Sequence, residues 1–188
     1  IEIHYNTNGT QFPDAKHIWK NFKLVEIAFS IDDVGPRFEY QRANAKWTEV
    51  NANIQKFKEL KQELGNIVLQ VCSTVNVFNV LYLEELSKWI DQQAFDFVYW
   101  NMLHEIEYNC IANAPMRLKI KASARLNLIG HHNTHKKQFE RIVTFMDQGP
   151  EYSTNPELVE NIRKFDLMRN ENLWDHHPEL AEAIGYET

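Results

Sequence analysis

Apolar and polar positions change their spacing several times along the chain, and each change marks an element. "IEIHY" (residues 1–5) alternates Ile and Tyr with polar neighbours, the two-residue period of a strand, and "NTNGT" after it has the composition of a turn. "LVEIAF" (24–29) is more continuously apolar, as a strand buried on both faces is. "IVLQVCSTV" (67–75) is rich in β-branched residues and "FDFVYW" (95–100) in aromatic ones, both strand-forming compositions. Between these runs the period lengthens. Trp47, Val50, Ile54, Phe57, Leu60 and Leu64 step by three or four residues and predict a helix over 47–64. Val80, Leu83, Leu86 and Ile90 predict another over 80–92, and a shorter helix around 13–22 joins the first two strands. Strand and helix in regular succession imply right-handed crossovers and a parallel sheet, an α/β fold.

Beyond residue 110 the strand signal stops. "MRLKIKASARLNLI" predicts a helix, Phe139, Ile142, Val143 and Met146 a second, and Leu158, Ile162, Phe165 and Met168 a third. Asn155 followed by Pro156 has the form of an N-cap with proline at the first helical position. "PELAEAIG" adds a last short helix stopped at Gly185. The pattern divides the chain into an α/β part, 1–112, and a helical extension, 113–188, with "DQGPEYSTNP" (147–156) as the expected hinge.

Composition narrows the function classes. With 188 residues, 44% hydrophobic and 12% aromatic, the chain can bury a substantial core. A net charge of −6 with scattered charges excludes the basic stripe of a nucleic-acid surface. No apolar run approaches the roughly 20 residues of a membrane-spanning helix, and residue 1 does not open a signal-peptide pattern. Cys72 and Cys110 have no CxxC spacing, so the expectation is a reducing, cytoplasmic setting without a disulfide framework. Because Ile1 stands in what looks like a strand already under way, the native protein is expected to begin further upstream.

Each predicted strand runs into polar residues at its carboxyl end, where parallel α/β folds bind ligands. The first gives Asn6, Thr7 and Asn8; the second Ser30, Asp32 and Asp33; the third Ser73, Thr74 and Asn76; the fourth Asn101, His104 and Glu105. A single such end needs only to be soluble, but four in succession point to a pocket. Elsewhere, His131 and His135 have the i, i+4 spacing of a two-histidine metal pair, with "WDHHP" as the nearest source of a third ligand. Against this stands a solvated helix start. "KIKASAR" is basic but short, the face of a helix that also carries Leu118 and Ile120.

The order of these motifs resembles the later part of radical S-adenosylmethionine enzymes, especially the subgroup with a twitch or SPASM-like C-terminal extension. "TNGT" closes the first strand, "SIDD" the second, "RFEYQR" follows, and "FDLMRNENLWDHHPEL" is similar to the LDxxRxxSxxxxFPEL ending of twitch members. The resemblance implies a partial (β/α) barrel and a pocket for S-adenosylmethionine. In it Ser30 donates a hydrogen bond and Arg42 forms a fork with the methionine carboxylate. Asp32 accepts from an ammonium or hydroxyl, and Thr7, Asn8, Thr74 and Asn76 line the cavity. For Arg42 the competing reading is a surface arginine paired to Glu39 or Asp33.

The departures matter as much. The family's CxxxCxxC loop for an iron–sulfur cluster is absent, as is its GGE-type turn, and Asp33 replaces the usual glycine of the SIDG turn. Two distant cysteines cannot ligate a cluster, and none lies beyond residue 110 for an auxiliary one. The chain is therefore expected to be the cluster-less later portion of such an enzyme, inactive alone, with no metal site of its own. The parent protein's substrate is a small molecule or a peptide. The alternative is a non-enzymatic binding or assembly module that forms a homodimer through the open barrel edge at "IEIHY". Neither reading needs a nucleic acid or a membrane.

Overall fold

The structure, a computed structural model, describes residues 1–130 and 133–187. Strands β1 (Glu2–Thr7), β2 (Leu24–Ser30), β3 (Ile67–Val75) and β4 (Phe97–Met102) form one parallel sheet in the order β1-β2-β3-β4. The register places His4 opposite Glu26, Thr7 opposite Phe29 and Ser30 opposite Cys72. The α/β fold expected from the hydrophobic pattern is present. Every crossover moves one strand further in the same direction, so right-handed connections lay their helices on one face of the sheet.

These connections are α1 (Lys16–Trp19), α2 (Gly35–Gln41) with α3 (Trp47–Leu64), and α4 (Leu83–Gln93). The helix face of the sheet carries Val25, Ile27, Phe29, Leu69 and Val71, all buried. Phe29 meets Phe57 of α3 edge-on at 5.2 Å between ring centroids, and Trp19 stacks on the same ring. Gly65 ends α3 in the left-handed conformation, φ 70°, as a C-cap glycine does. Asp96, just before β4, accepts from the backbone N–H of Leu69 at 2.7 Å and from the Lys61 ammonium. It thereby ties β4 to β3 and to α3.

Boundaries differ from the periodic reading at several places; α1 covers only Lys16–Trp19 of the expected 13–22, and β4 runs Phe97–Met102 rather than 95–100. α2 was not anticipated, because its seven residues are too few to establish a period. The helix expected from residue 80 begins at Leu83, since Asn76 and Asn79 turn the chain first. Asn76 Oδ1 accepts from Phe78 N at 2.8 Å, and Asn79 Oδ1 from Asn76 N at 2.9 Å.

Two compact units form, one from Ile1–Thr74 with Lys88–Asn101 and the other from Val75–Ser87 with the chain from Met102 onward. In the second unit, 3-10 turns at Glu107–Asn109 and Ile111–Asn113 precede α5 (Met116–Gly130), α6 (Lys136–Asp147), α7 (Pro156–Arg169), α8 (Leu173–His176) and α9 (Pro178–Ile184). Leu118, Ala122 and Leu126 of α5 and Phe139, Ile142 and Met146 of α6 form the buried faces. Asn155 caps α7, accepting from Leu158 N at 3.0 Å, as the Asn-Pro signal predicts. The closing motif is a clasp. Buried Asp166 accepts from Leu173 N at 2.9 Å and from the Tyr186 hydroxyl at 2.6 Å, while Glu179 takes Arg125 at 2.7 Å. Among the described residues no helix is long and apolar enough to cross a membrane.

The segment 147–156 is held rather than loose. Buried Lys119, its pKa lowered by that burial, donates to the Pro150 carbonyl at 2.8 Å, and Met116 N donates to Tyr152 O at 2.7 Å. At Gly149 the backbone of Ala112 comes so close that an added Cβ would lie 1.9 Å from its carbonyl oxygen. Gly149→Ala is expected to cost at least about 2 kcal/mol through overpacking. Gly130→Ala, where the nearest atom is 4.0 Å away, serves as the helical control. Urea denaturation of both variants checks the contrast, and equal midpoints would contradict the packing.

Candidate functional site at the strand ends

β2 leads into "SIDDVGPRFEYQR", and its two adjacent aspartates have different duties. Asp32 Oδ1 accepts from Thr74 N at 2.7 Å, and its Oδ2 accepts from Arg42 Nη2 at 2.5 Å. It thus joins the carboxyl ends of β2 and β3 and holds an arginine beside them. Asp33 is fully buried and accepts from Val34 N at 2.8 Å and from Arg37 Nε at 3.0 Å. Gln41 reaches the same carboxylate at 3.4 Å, so Asp33 organises α2 from inside. Glu39 accepts from Trp47 N at 2.8 Å and from Lys46 at 3.1 Å, which fixes the start of α3.

Arg42 is therefore paired to Asp32, neither to Asp33 nor to Glu39. Its guanidinium lies 5.8 Å from the Phe38 ring, and its Nε is buried with no hydrogen-bond partner. The side chain as a whole remains partly exposed, so the guanidinium is reachable beside the strand ends.

The other expected residues fall as follows. Thr7 Oγ1 accepts from Gly9 N at 3.1 Å, and Asn8 Oδ1 accepts from Thr10 N at 3.1 Å, so both first build the "NTNGT" turn. That turn is seated on α3, with Asn53 donating to Gly9 O at 3.0 Å. Gly9 is required there, because φ is +76° and a Cβ would lie 2.9 Å from Val50 Cγ1. Thr7, Ser30, Thr74 and Asn101 all stand at the carboxyl end of the parallel sheet. Asn76 belongs to the second unit, where its side chain caps the turn after β3. There too His104 packs edge-on against Phe145 at 4.8 Å, and Glu105 is exposed. His131 lies outside the described residues. His135 has its backbone N–H bound by Asn133 at 2.8 Å. Among the described residues no group of three or more His, Cys, Asp or Glu converges as a metal site would require.

One feature escaped the residue-by-residue reading. On β1, β2 and β3 the sheet face turned away from the helices carries mostly polar residues, interrupted by Ala28 and Val68. His4 Nδ1 meets Glu26 at 3.0 Å, Asn6 and Gln70 flank Ala28, and Ser30 faces Cys72. Burial and then the Asp32 charge push the Cys72 thiol pKa up, so it rests as the neutral thiol. Parallel sheets are ordinarily apolar on both faces, and barrel interiors are filled with branched aliphatics. A polar face on a parallel sheet suits a hydrated cavity wall with hydrogen-bonding groups. The signal was present as alternation, in His4 and Asn6, Glu26 and Ser30, and Gln70, Cys72 and Thr74.

Comparison of the chain with protein-family models, curated proteins and solved structures finds no match. The geometry divides the loop into a buried structural aspartate and a partly exposed arginine, and this division is measurable. Asp33→Ala, which strands the Arg37 charge beside a buried position, is expected to cost about 3 kcal/mol. Arg42→Ala, at a partly exposed pair, should cost about 1 kcal/mol or less. Equal losses in chemical denaturation would contradict the division.

Proposed function

We propose that the chain is the later portion of a radical S-adenosylmethionine enzyme, carrying part of the S-adenosylmethionine and substrate pocket and inactive by itself. The observation that carries this reading is the sequentially wound parallel sheet with polar strand ends and polar residues on the face turned away from α3. It is joined by the order of the TNGT, SIDD and C-terminal motifs. Arg42, whose guanidinium is partly exposed, receives the methionine carboxylate by exchanging part of its Asp32 contact. Ser30, Asp32, Thr7, Asn8 and Thr74 supply hydroxyl, carboxylate and amide groups for the polar remainder of the ligand. An iron–sulfur cluster, when bound, supplies the electron that cleaves S-adenosylmethionine. Its ligands come from outside this chain, since two cysteines are too few to hold it.

Titration of the chain with S-adenosylmethionine, followed by amide NMR, tests the pocket. Weak, saturable shifts at Thr7, Ser30, Asp32 and Thr74 that vanish in Arg42→Ala are expected. Submicromolar affinity without a cluster, or shifts confined to the helical unit, would overturn it. At the gene, a CxxxCxxC encoded within about 100 residues upstream of Ile1 agrees with the length of two further βα units.

A second reading, an assembly module that dimerises through the open sheet edge, is favoured by one observation. Edge strand β1 partly exposes Tyr5 (37%), and Ile1 just before it is exposed (94%), beside the strand's unpaired backbone groups. The apolar residues on the neighbouring strands do not add to it, because Val25, Ile27 and Val71 are buried. Sedimentation over a range of concentrations tests this: a dimer blocked by Tyr5→Lys is expected, and a persistent monomer removes the reading.

A further inference from the structure

We propose that the outer face of α6 is a docking groove for an acidic peptide segment bearing a large apolar side chain. A groove of about 620 Å³ runs along this helix, floored by Met102 and Phe145 and rimmed by Lys137, Arg141, Thr144 and Gln148. The rim positions step by four, three and four residues, so they form one line of roughly 16 Å along the helix. An extended peptide of about five residues covers that length. The groove lies open along its side, which suits a chain segment better than an enclosed small molecule.

Charge decides the kind of peptide. Lys137 and Arg141 are like charges at i, i+4, a spacing that destabilises an isolated helix, and among the described residues neither has a carboxylate partner. Arg141 reaches only the Gln138 amide oxygen, at 3.3 Å. Glu140, the groove's one carboxylate, is engaged by Lys136 at 3.8 Å. The first turn of α6 contains Lys136 and Lys137 and no acid, opposite to what the helix dipole favours. In a protein of net charge −6 this is a local cationic exception. Carboxylates placed across Lys137 and Arg141 relieve the repulsion and the dipole mismatch together. The apolar floor gives specificity that a purely electrostatic anion site lacks. Two cations on an otherwise acidic chain are too few for a nucleic-acid track.

Fluorescence anisotropy of the chain with a fluorescein-labelled EELFEE peptide tests the groove. A KKLFKK peptide serves as charge control and a poly-dT oligonucleotide as a competing anion. Saturable binding to EELFEE alone is expected, weakening as salt is raised. The double variant Lys137→Glu with Arg141→Glu should lower affinity roughly tenfold or more. Thr144→Glu, at an exposed position that leaves the core untouched, should weaken it with an unchanged circular dichroism spectrum. Phe145→Ala should weaken it without altering the salt dependence. Equal affinity for both peptides, displacement by the oligonucleotide in preference to unlabelled peptide, full binding by the double variant, or no saturable binding to EELFEE would each overturn the proposal.

Discussion

The sheet is parallel and wound in strict sequence, and most of the first unit follows from that constraint. A strand can reach its parallel neighbour only by a crossover, and right-handed crossovers that always advance one strand keep their helices on the same face. That face must be apolar, and it is, with Phe29 set against Phe57 at its centre. The opposite face is released from the obligation to bury hydrocarbon against those helices. It carries His4 with Glu26, Gln70, and Ser30 with Cys72. The same winding brings all carboxyl strand ends to one side, where Asp32 bridges two of them.

Asp32 and Asp33 show how the backbone distributes roles between like residues. Asp33 enters the protein, fully buried, and Asp32 stays with the strand ends. Burying a carboxylate is costly unless its oxygens are met by donors. Asp33 has a backbone N–H, Arg37 and Gln41 for that purpose. Asp32 has Thr74 and Arg42, a partner that remains partly exposed and keeps an unmet donor. Polar residues packed into one loop thus serve the fold and the candidate site at once.

The helical unit solves a different problem. Its loops are fixed by single buried polar contacts, Lys119 to Pro150 O and Asp166 to Tyr186 and Leu173, while surface pairs such as Arg125 with Glu179 link α5 to α9. Most charges of α5 find partners on α9, but among the described residues Lys137 and Arg141 of α6 meet no carboxylate. A stretch named for its resemblance to an LDxxR…PEL ending proves to be held together by its own Asp166 and Glu179.

The sequence by itself determined the α/β class, the strands, the long helices and the α7 cap, because hydrophobic period and capping chemistry are local properties. It also indicated that polar groups gather at the strand ends. Tertiary structure alone decided which carboxylate meets which arginine. Glu39, Asp33 and Asp32 were all within reach of Arg42 along the chain; Asp33 is taken by Arg37, Glu39 by Lys46 and Trp47 N, and Asp32, set by Thr74 N, meets Arg42. Likewise the hinge inferred from Gly and Pro at 149–150 depends on what lies opposite, and Ala112 and Lys119 lie opposite. The polar sheet face was written as alternation in three separate strands, but a face exists only once register sets His4 against Glu26 and Ser30 against Cys72. Register is a long-range property, fixed by packing between segments far apart in the chain, and no local pattern contains it.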